Sequence, residues 1–146
     1  MQKRQTIRCT GYFCGVEAVA DLETLLPQAD VVVLAVLLSD DTRGMVDASF
    51  LSLMKDDALL VNVARGPVVN TNDLVAELAT GRIMAALDVT DPEPLPADHP
   101  LWRSPRTLIT PHLGGDTGAF KPRIEKLLRQ QIERAVRGEE LLNVIF

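Results

Sequence analysis

Residues 59–74 read LLVNVARGPVVNTNDL, and the reading of this stretch decides the fold. Its first half is the pattern of a buried strand, its second half opens a helix, and Arg65 followed by Gly66 stands at the join. Arginine is almost never fully buried unless paired. A chain that sets one at the end of its most apolar strand is therefore expected to aim it at a partner. Working outward, the runs at 29–36 (ADVVVLAV), 58–64 (ALLVNVA), 83–89 (IMAALDV) and 107–111 (TLITP) are continuous rather than alternating, which predicts strands covered on both faces. Short helical patterns fall between them. DLETLLPQ has Asp21 as its expected N-cap, and ASFLSLM follows the first strand. In TNDLVAELATG, Thr71 is placed to cap, Leu74, Val75 and Leu78 share a face, and Gly81 closes. Strands alternating with helices give a parallel sheet with right-handed crossovers.

Composition narrows the class. With 146 residues, 47% of them hydrophobic, the chain is long enough for one sizeable core and short for two. A net charge of -5 argues against a nucleic-acid or anionic-membrane surface, since either needs a basic footprint. Cys9 and Cys14 are the only cysteines, too few for a zinc site or a disulfide scaffold, and no metal is expected. VVVLAVLL is far too short to span a bilayer, and the cationic N-terminus lacks a following apolar segment. A soluble, cytoplasmic protein is the expectation.

Residues 91–105, DPEPLPADHPLWRSP, carry five prolines and predict an irregular excursion at the end of a strand. Loops of that length inside compact domains are usually functional or mobile. His99 reads as an ordinary loop histidine there and Trp102 as a packing anchor. The last element, over 118–137, places Phe120, Ile124, Leu127, Leu128, Ile132 and Ala135 on one stripe, with Glu125/Arg129 and Glu133/Arg137 at i,i+4 spacing, and Gly138 ends it.

Ligands of open parallel α/β sheets bind outside the carboxyl ends of the strands. Arg65, Asp88 and His112 each follow or end a strand, so they are expected to converge on one crevice, with Glu93 in the proline-rich loop. An arginine fork binds a carboxylate bidentately, a histidine moves a proton near neutral pH, and a neighbouring carboxylate fixes the histidine tautomer. A small 2-hydroxy or 2-oxo acid is what such groups ask for. Taken singly, a histidine near a strand end or an Arg-Gly pair is more often structural; the conjunction reverses that balance.

VNVARGPVV, AALDVTDPEP, HPLW and TPHLGG, in this order and spacing, resemble the C-terminal half of the D-isomer-specific 2-hydroxyacid dehydrogenases, from about Ala18 to the end. The resemblance implies an α/β fold: a partial Rossmann-like parallel sheet with flanking helices, lacking the first strands and the GxGxxG turn. It implies hydride transfer between substrate C2 and NAD, with NADP not excluded. Arg65 is then the carboxylate-binding residue, His112 the acid/base, and Glu93 its hydrogen-bond partner, where the related formate dehydrogenases carry glutamine. Asp88, also by resemblance, contacts the nicotinamide carboxamide. Val36, Val63, Ala64, Arg65, His112, Gly114 and Gly115 complete the expected cofactor-binding set.

The departures carry equal information. No G-x-G-x-x-G stands in the chain, although those glycines seat pyrophosphate on a helix N-terminus. By the resemblance the family's N-terminal lobe is expected to be missing, Leu37 stands where proline is usual, and Asp116 puts a negative charge beside Gly114 and Gly115. The expected organisation is an unplaced segment 1–14, a partial NAD-binding domain 15–117, and a C-terminal helix and tail 118–146. Three readings remain open: an oxidoreductase by family, an interaction module without catalysis, and a half-enzyme completed by an N-terminal partner. The strand at 29–36 is expected to present an unpaired edge, hence self-association or a complementing half. Residues 15–20, GVEAVA, could slide in to pair with it but are short, and a large apolar surface is expected to stay exposed either way.

Overall fold

Runs of aliphatic residues set the sheet. In this computed structural model, which describes residues 21–144, Val31–Leu34 (β1), Leu59–Asn62 (β2), Met84–Leu87 (β3) and Thr107–Ile109 (β4) form one parallel sheet in the order β1-β2-β3-β4. The helices are α1 (Leu22–Leu25), α2 (Ala48–Leu53), α3 (Thr71–Ala79) and α4 (Phe120–Arg137). The described residues fall into two units, one ending at His112 and one beginning at Leu113. Among them no helix is long and apolar enough to cross a membrane.

The continuous apolar runs predict strands covered on both faces, and here the structure differs. Side chains alternate. Leu34, Leu60, Asn62, Ala85 and Leu87 are buried on one face, together with Phe50 and Leu51 of α2 and Leu74 and Leu78 of α3. The opposite face carries the paired rows Val31, Leu59, Met84 and Val33, Val61, Ala86, Leu108. Val31, Val33 and Leu108 there are 54%, 57% and 61% exposed. Topology supplies the reason. When parallel strands are laid down in sequential order, every right-handed crossover returns on the same side, so the intervening helices cover one face only. β1 is also the sheet's edge among the described residues; residues 15–20, the segment expected to be able to pair with it, lie outside them.

Local chemistry fixes the helix ends. α3 is capped by Asn70 rather than by Thr71: Asn70 is extended (φ -70°, ψ 106°) and its Oδ1 accepts from the N–H groups of Asn72 (3.1 Å) and Asp73 (3.4 Å). A cap residue must leave helical geometry, and Thr71 is already helical, its hydroxyl donating to the Asp91 carbonyl at 2.6 Å. Gly81 closes α3 in the left-handed conformation, as its position predicts. Asp21 stands at the N-cap of α1 without the expected side-chain capping bond; the Thr24 hydroxyl donates to its carbonyl instead. α2 is capped by Asp47, and Asp73 of α3 accepts from the Ala48 N–H at 3.1 Å, tying the two helices together.

Arg82 holds the other end of α2. Its guanidinium donates to the carbonyls of Leu51 (2.6 Å) and Met54, and its Nε meets Glu77 Oε1 at 2.7 Å. Carbonyls at a helix C-terminus have no partner within the helix, and a planar fork satisfies two at once. Arg82→Ala should therefore cost about 2 kcal/mol, the range for charge-assisted bonds at a partly exposed site. Arg82→Lys should recover less than half of it, because an ammonium cannot reproduce the fork. Urea denaturation of the three forms decides; an Arg82→Ala midpoint equal to wild type removes the role.

In the C-terminal unit, Gly138 ends α4 in the left-handed conformation. The tail folds back on the helix, Gln131 exchanging two hydrogen bonds with the Leu142 backbone (2.7 and 2.8 Å). The expected pairs Glu125/Arg129 and Glu133/Arg137 do not form; Arg134 and Arg137 turn to Glu139. Exposed i,i+4 pairs contribute only tenths of a kcal/mol, so a nearby carboxylate past the helix end competes with them easily. The predicted apolar stripe is real but uncovered within this unit: Phe120, Ile124, Leu128 and Ile132 are all exposed.

Candidate active site

Each predicted side chain is placed by the turn that follows a strand. β2 ends at Asn62, whose buried carboxamide accepts from the Ala64 N–H (3.0 Å) and donates to the Arg65 carbonyl (3.2 Å). Arg65 is extended (φ -145°, ψ 145°) and leads into the 3-10 turn Gly66–Val68. Its guanidinium donates to the Ala64 carbonyl at 2.6 Å and makes no ion pair among the described residues. β3 runs into Asp88, whose Oδ1 accepts from the Thr110 hydroxyl at 2.6 Å. Thr90, buried just beyond, donates to the Pro92 carbonyl at 2.9 Å and so shapes the loop that carries Glu93.

β4 passes through Thr110 and Pro111 to His112. There the backbone enters the left-handed region (φ 55°), with the His112 N–H donating to the Thr110 carbonyl at 3.0 Å. The turn sets Nδ1 of the imidazole 2.7 Å from Glu93 Oε1. Both side chains are nearly half exposed, at 46% and 41%. Exposed ion pairs contribute about 0–1 kcal/mol, so this contact does little for stability. Its effect is orientational: with Nδ1 committed to a carboxylate, Nε2 is the nitrogen left to exchange a proton.

The predicted residues do not share one crevice. Val36, Val63, Ala64 and Arg65 line a cleft of about 420 Å³ at the carboxyl ends of β1 and β2, walled otherwise by Ala35, Leu37 and Leu38. Asp88, Glu93 and His112 line a second, of about 230 Å³, at the ends of β3 and β4, with Trp102 and Leu95. The division follows the strand order, since Arg65 leaves β2 toward β1 while the proline-rich loop folds over β4. Gly114 and Gly115 belong to the second unit, in a turn closed by the Asp116 N–H donating to the Leu113 carbonyl at 2.9 Å.

The proline-rich loop is the irregular excursion its prolines predict, apart from the 3-10 turn Pro100–Arg103. His99 caps that turn, Nδ1 accepting from the Leu101 N–H at 3.2 Å. Trp102 is half exposed and anchors the loop through Nε1, which donates to the Pro96 carbonyl at 2.8 Å. Asn62, Thr90 and Thr110 were not among the expected site residues. A polar residue inside an apolar strand was the available signal for Asn62; nothing local marks the two threonines.

The chain matches the family described as D-isomer specific 2-hydroxyacid dehydrogenase, NAD binding domain, over residues 4–114. That span begins earlier than the motifs, which give no purchase before about Ala18. It is 46% identical over 120 residues to the uncharacterized protein in the proB 3'region of Corynebacterium melassecola, covering 82% of this chain and 40% of that protein. It is 40% identical over 118 residues to human glyoxylate reductase/hydroxypyruvate reductase, covering 80% of this chain and 36% of that one. Its fold is similar to the crystal structure of a D-isomer specific 2-hydroxyacid dehydrogenase from Xanthobacter autotrophicus Py2 in complex with NADPH and MES. There the TM-score is 0.75 at 37% identity, covering 88% of this chain and 52% of that chain. The chain thus spans 36% to 40% of the length of these curated relatives.

Proposed function

The chain belongs to the D-isomer specific 2-hydroxyacid dehydrogenase family, and from that premise we propose that it contributes the nicotinamide side of an NAD(P)-dependent oxidoreductase of small 2-hydroxy or 2-oxo acids. The observation that carries the reading is the His112–Glu93 pair at the carboxyl end of a parallel sheet. Nε2 of His112 takes the proton of a C2 hydroxyl in oxidation and returns it to a C2 oxygen in reduction, while Glu93 holds the ring. Arg65, with no anionic partner of its own among the described residues, binds the substrate carboxylate as a fork, which requires that a bound acid span the two clefts, carboxylate toward Arg65 and C2 oxygen toward His112.

The cofactor fit is testable on the cleft itself. Its aliphatic walls, Val36, Leu37, Val63 and Ala64, suit a flat, weakly polar ring, while Asp88 lines the second cleft, at the ends of β3 and β4. Val36, Val63 and Ala64 would hold the nicotinamide portion. Nicotinamide, when bound, supplies the hydride chemistry. No glycine-rich turn for pyrophosphate stands within the 146 residues.

The test uses glyoxylate, the 2-oxo acid that the human relative's name supplies. NADH is titrated into the purified chain by fluorescence, and NADH oxidation is followed with the chain alone and mixed with the N-terminal portion of a family member. Weak NADH binding and no turnover are expected alone, with turnover in the mixture. There, Arg65→Ala should raise KM for glyoxylate about 10- to 100-fold, the value of one or two charge-assisted bonds, with NADH affinity unchanged. Unchanged glyoxylate kinetics in that variant would remove Arg65 from its role, and a mixture with no turnover at all favours the interaction-module reading.

The open sheet face and the β1 edge, unpaired among the described residues, support a completing partner. A parallel strand with exposed Val31 and Val33 and unprotected by proline or charge is a pairing template. Size-exclusion chromatography with light scattering should give a mass above that of one chain, or above it once the N-terminal portion is added. A stable monomer in both cases, with β1 amides strongly protected, overturns this.

A further inference from the structure

We infer that Asn62 is the positioning residue for Arg65: its buried carboxamide, rather than the strand itself, fixes the direction in which the arginine leaves the end of β2. Among the described residues only two polar side chains are buried, Asn62 at 1% exposure and Thr90 at 8%. Asn62 shares its side of the sheet with Leu60, Ala85 and Leu87, an otherwise apolar layer. An amide taken from water into such a layer is unfavourable unless its donor and acceptor are both used. Both are used, and both on the same short segment. Oδ1 accepts from the Ala64 N–H at 3.0 Å, and Nδ2 donates to the Arg65 carbonyl at 3.2 Å.

The backbone of Asn62 does something different. Its carbonyl accepts from the Asp88 N–H at 3.0 Å, so the main chain continues the ladder toward β3 while the side chain governs the turn. Past Val63, whose N–H reaches Leu34 on β1, the ladder to β1 gives out. Ala64 and Arg65 are then held by the carboxamide on one side and by the packing of Gly66 against the Thr90 carbonyl on the other. A leucine would fill the same layer and leave that turn unrestrained. The carboxamide thus defines the entry geometry of a guanidinium that has no ion pair of its own among the described residues.

The experiment is amide hydrogen exchange, read by NMR on the 146-residue chain, in wild type and in Asn62→Leu. In the variant, the Ala64 amide should exchange about tenfold faster relative to Leu60 in the same sample, the equivalent of one ordinary hydrogen bond. Leu60 lies in the middle of the same strand, so it reports any general loss of stability, which a merely structural role would spread over both amides. Asn62→Asp retains the acceptor oxygen and loses the donor, and should keep most of the Ala64 protection. If the leucine variant does not fold, Asn62→Ala is read by the same ratio. An unchanged Ala64-to-Leu60 ratio overturns the inference, whatever the fate of the catalytic reading. The functional consequence rests on the proposed role of Arg65. In an active mixture Asn62→Leu should raise KM for glyoxylate with a smaller effect on kcat, and unchanged KM beside a changed exchange ratio would confine Asn62 to the turn. Should Arg65→Ala leave glyoxylate kinetics unaltered, the catalytic reading fails while the exchange ratio still decides the position of the turn.

Discussion

In an active mixture, His112→Ala should lower kcat for glyoxylate reduction by about 10²- to 10⁴-fold, the contribution of a positioned acid/base, with NADH affinity little changed. The argument begins with the backbone. His112 is a non-glycine residue at φ 55°, a region that costs roughly 1–2 kcal/mol for L-residues. Strain of that kind persists only where the surroundings impose it, and it concentrates at sites of chemistry. Here the Thr110 carbonyl and the Glu93 carboxylate impose it, and the ion pair is too exposed to repay it in stability. Asp57 and Arg106 also hold a positive φ, away from the site, so strain alone does not mark chemistry; whether the His112 turn serves Nε2 or the fold is a separable question. A paired substitution separates the two. His112→Gly should lose activity as completely as His112→Ala yet unfold about 1 kcal/mol later, because only glycine is at ease in that conformation. Kinetics and urea denaturation of both variants settle the matter. A His112→Ala enzyme within tenfold of wild-type kcat would take the proton-transfer role away from this residue.

How far the site was legible in the sequence depends on how local each determinant is. Gly81 and Gly138 could be read as helix terminators because a left-handed C-terminal residue is a one-residue requirement. The parallel sheet could be read because alternation of strand and helix dictates it. Arg65, Asp88 and His112 could be placed at strand ends, and Glu93 in the loop past β3, by counting along the chain. Their division between two clefts could not, because it depends on which strands neighbour one another in space. The open face of the sheet was hidden for a related reason. A continuous apolar run such as VVVLAV records that both faces avoid water, not which element of which unit covers them. Asn62 shows the middle case: its polarity in an apolar strand is visible, but the two bonds that give it a task are made to the backbone of Ala64 and Arg65 and leave no mark in the sequence.

Gly66→Ala should be among the most destabilising single-methyl additions this fold can receive, about 3 kcal/mol, the upper part of the range for overpacking a well-packed site. Gly66 has no positive φ to explain its identity; space explains it. A Cβ built there would lie 1.9 Å from the Thr90 carbonyl oxygen, 2.2 Å from its carbon and 2.8 Å from the Asp91 nitrogen. Every one of these is a backbone atom, so no side chain can rotate to make room. The two turns that follow β2 and β3 must part, and Thr90 is buried with its hydroxyl already committed to the Pro92 carbonyl. The displacement is transmitted to Glu93 next along that loop, and so to the contact that orients His112. Gly81→Ala is the control: nothing lies within 4 Å of its Cβ position, so it bears only the cost of a left-handed backbone, about 1 kcal/mol. Thermal unfolding by circular dichroism should place the Gly66 variant about 10 °C below wild type and clearly below the Gly81 variant. In an active mixture the Gly66 variant should also lose turnover at temperatures where it remains folded. Equal melting temperatures for the two glycine variants would mean that the turns after β2 and β3 separate freely, and the close approach could then no longer be what holds Arg65 and Glu93 in register.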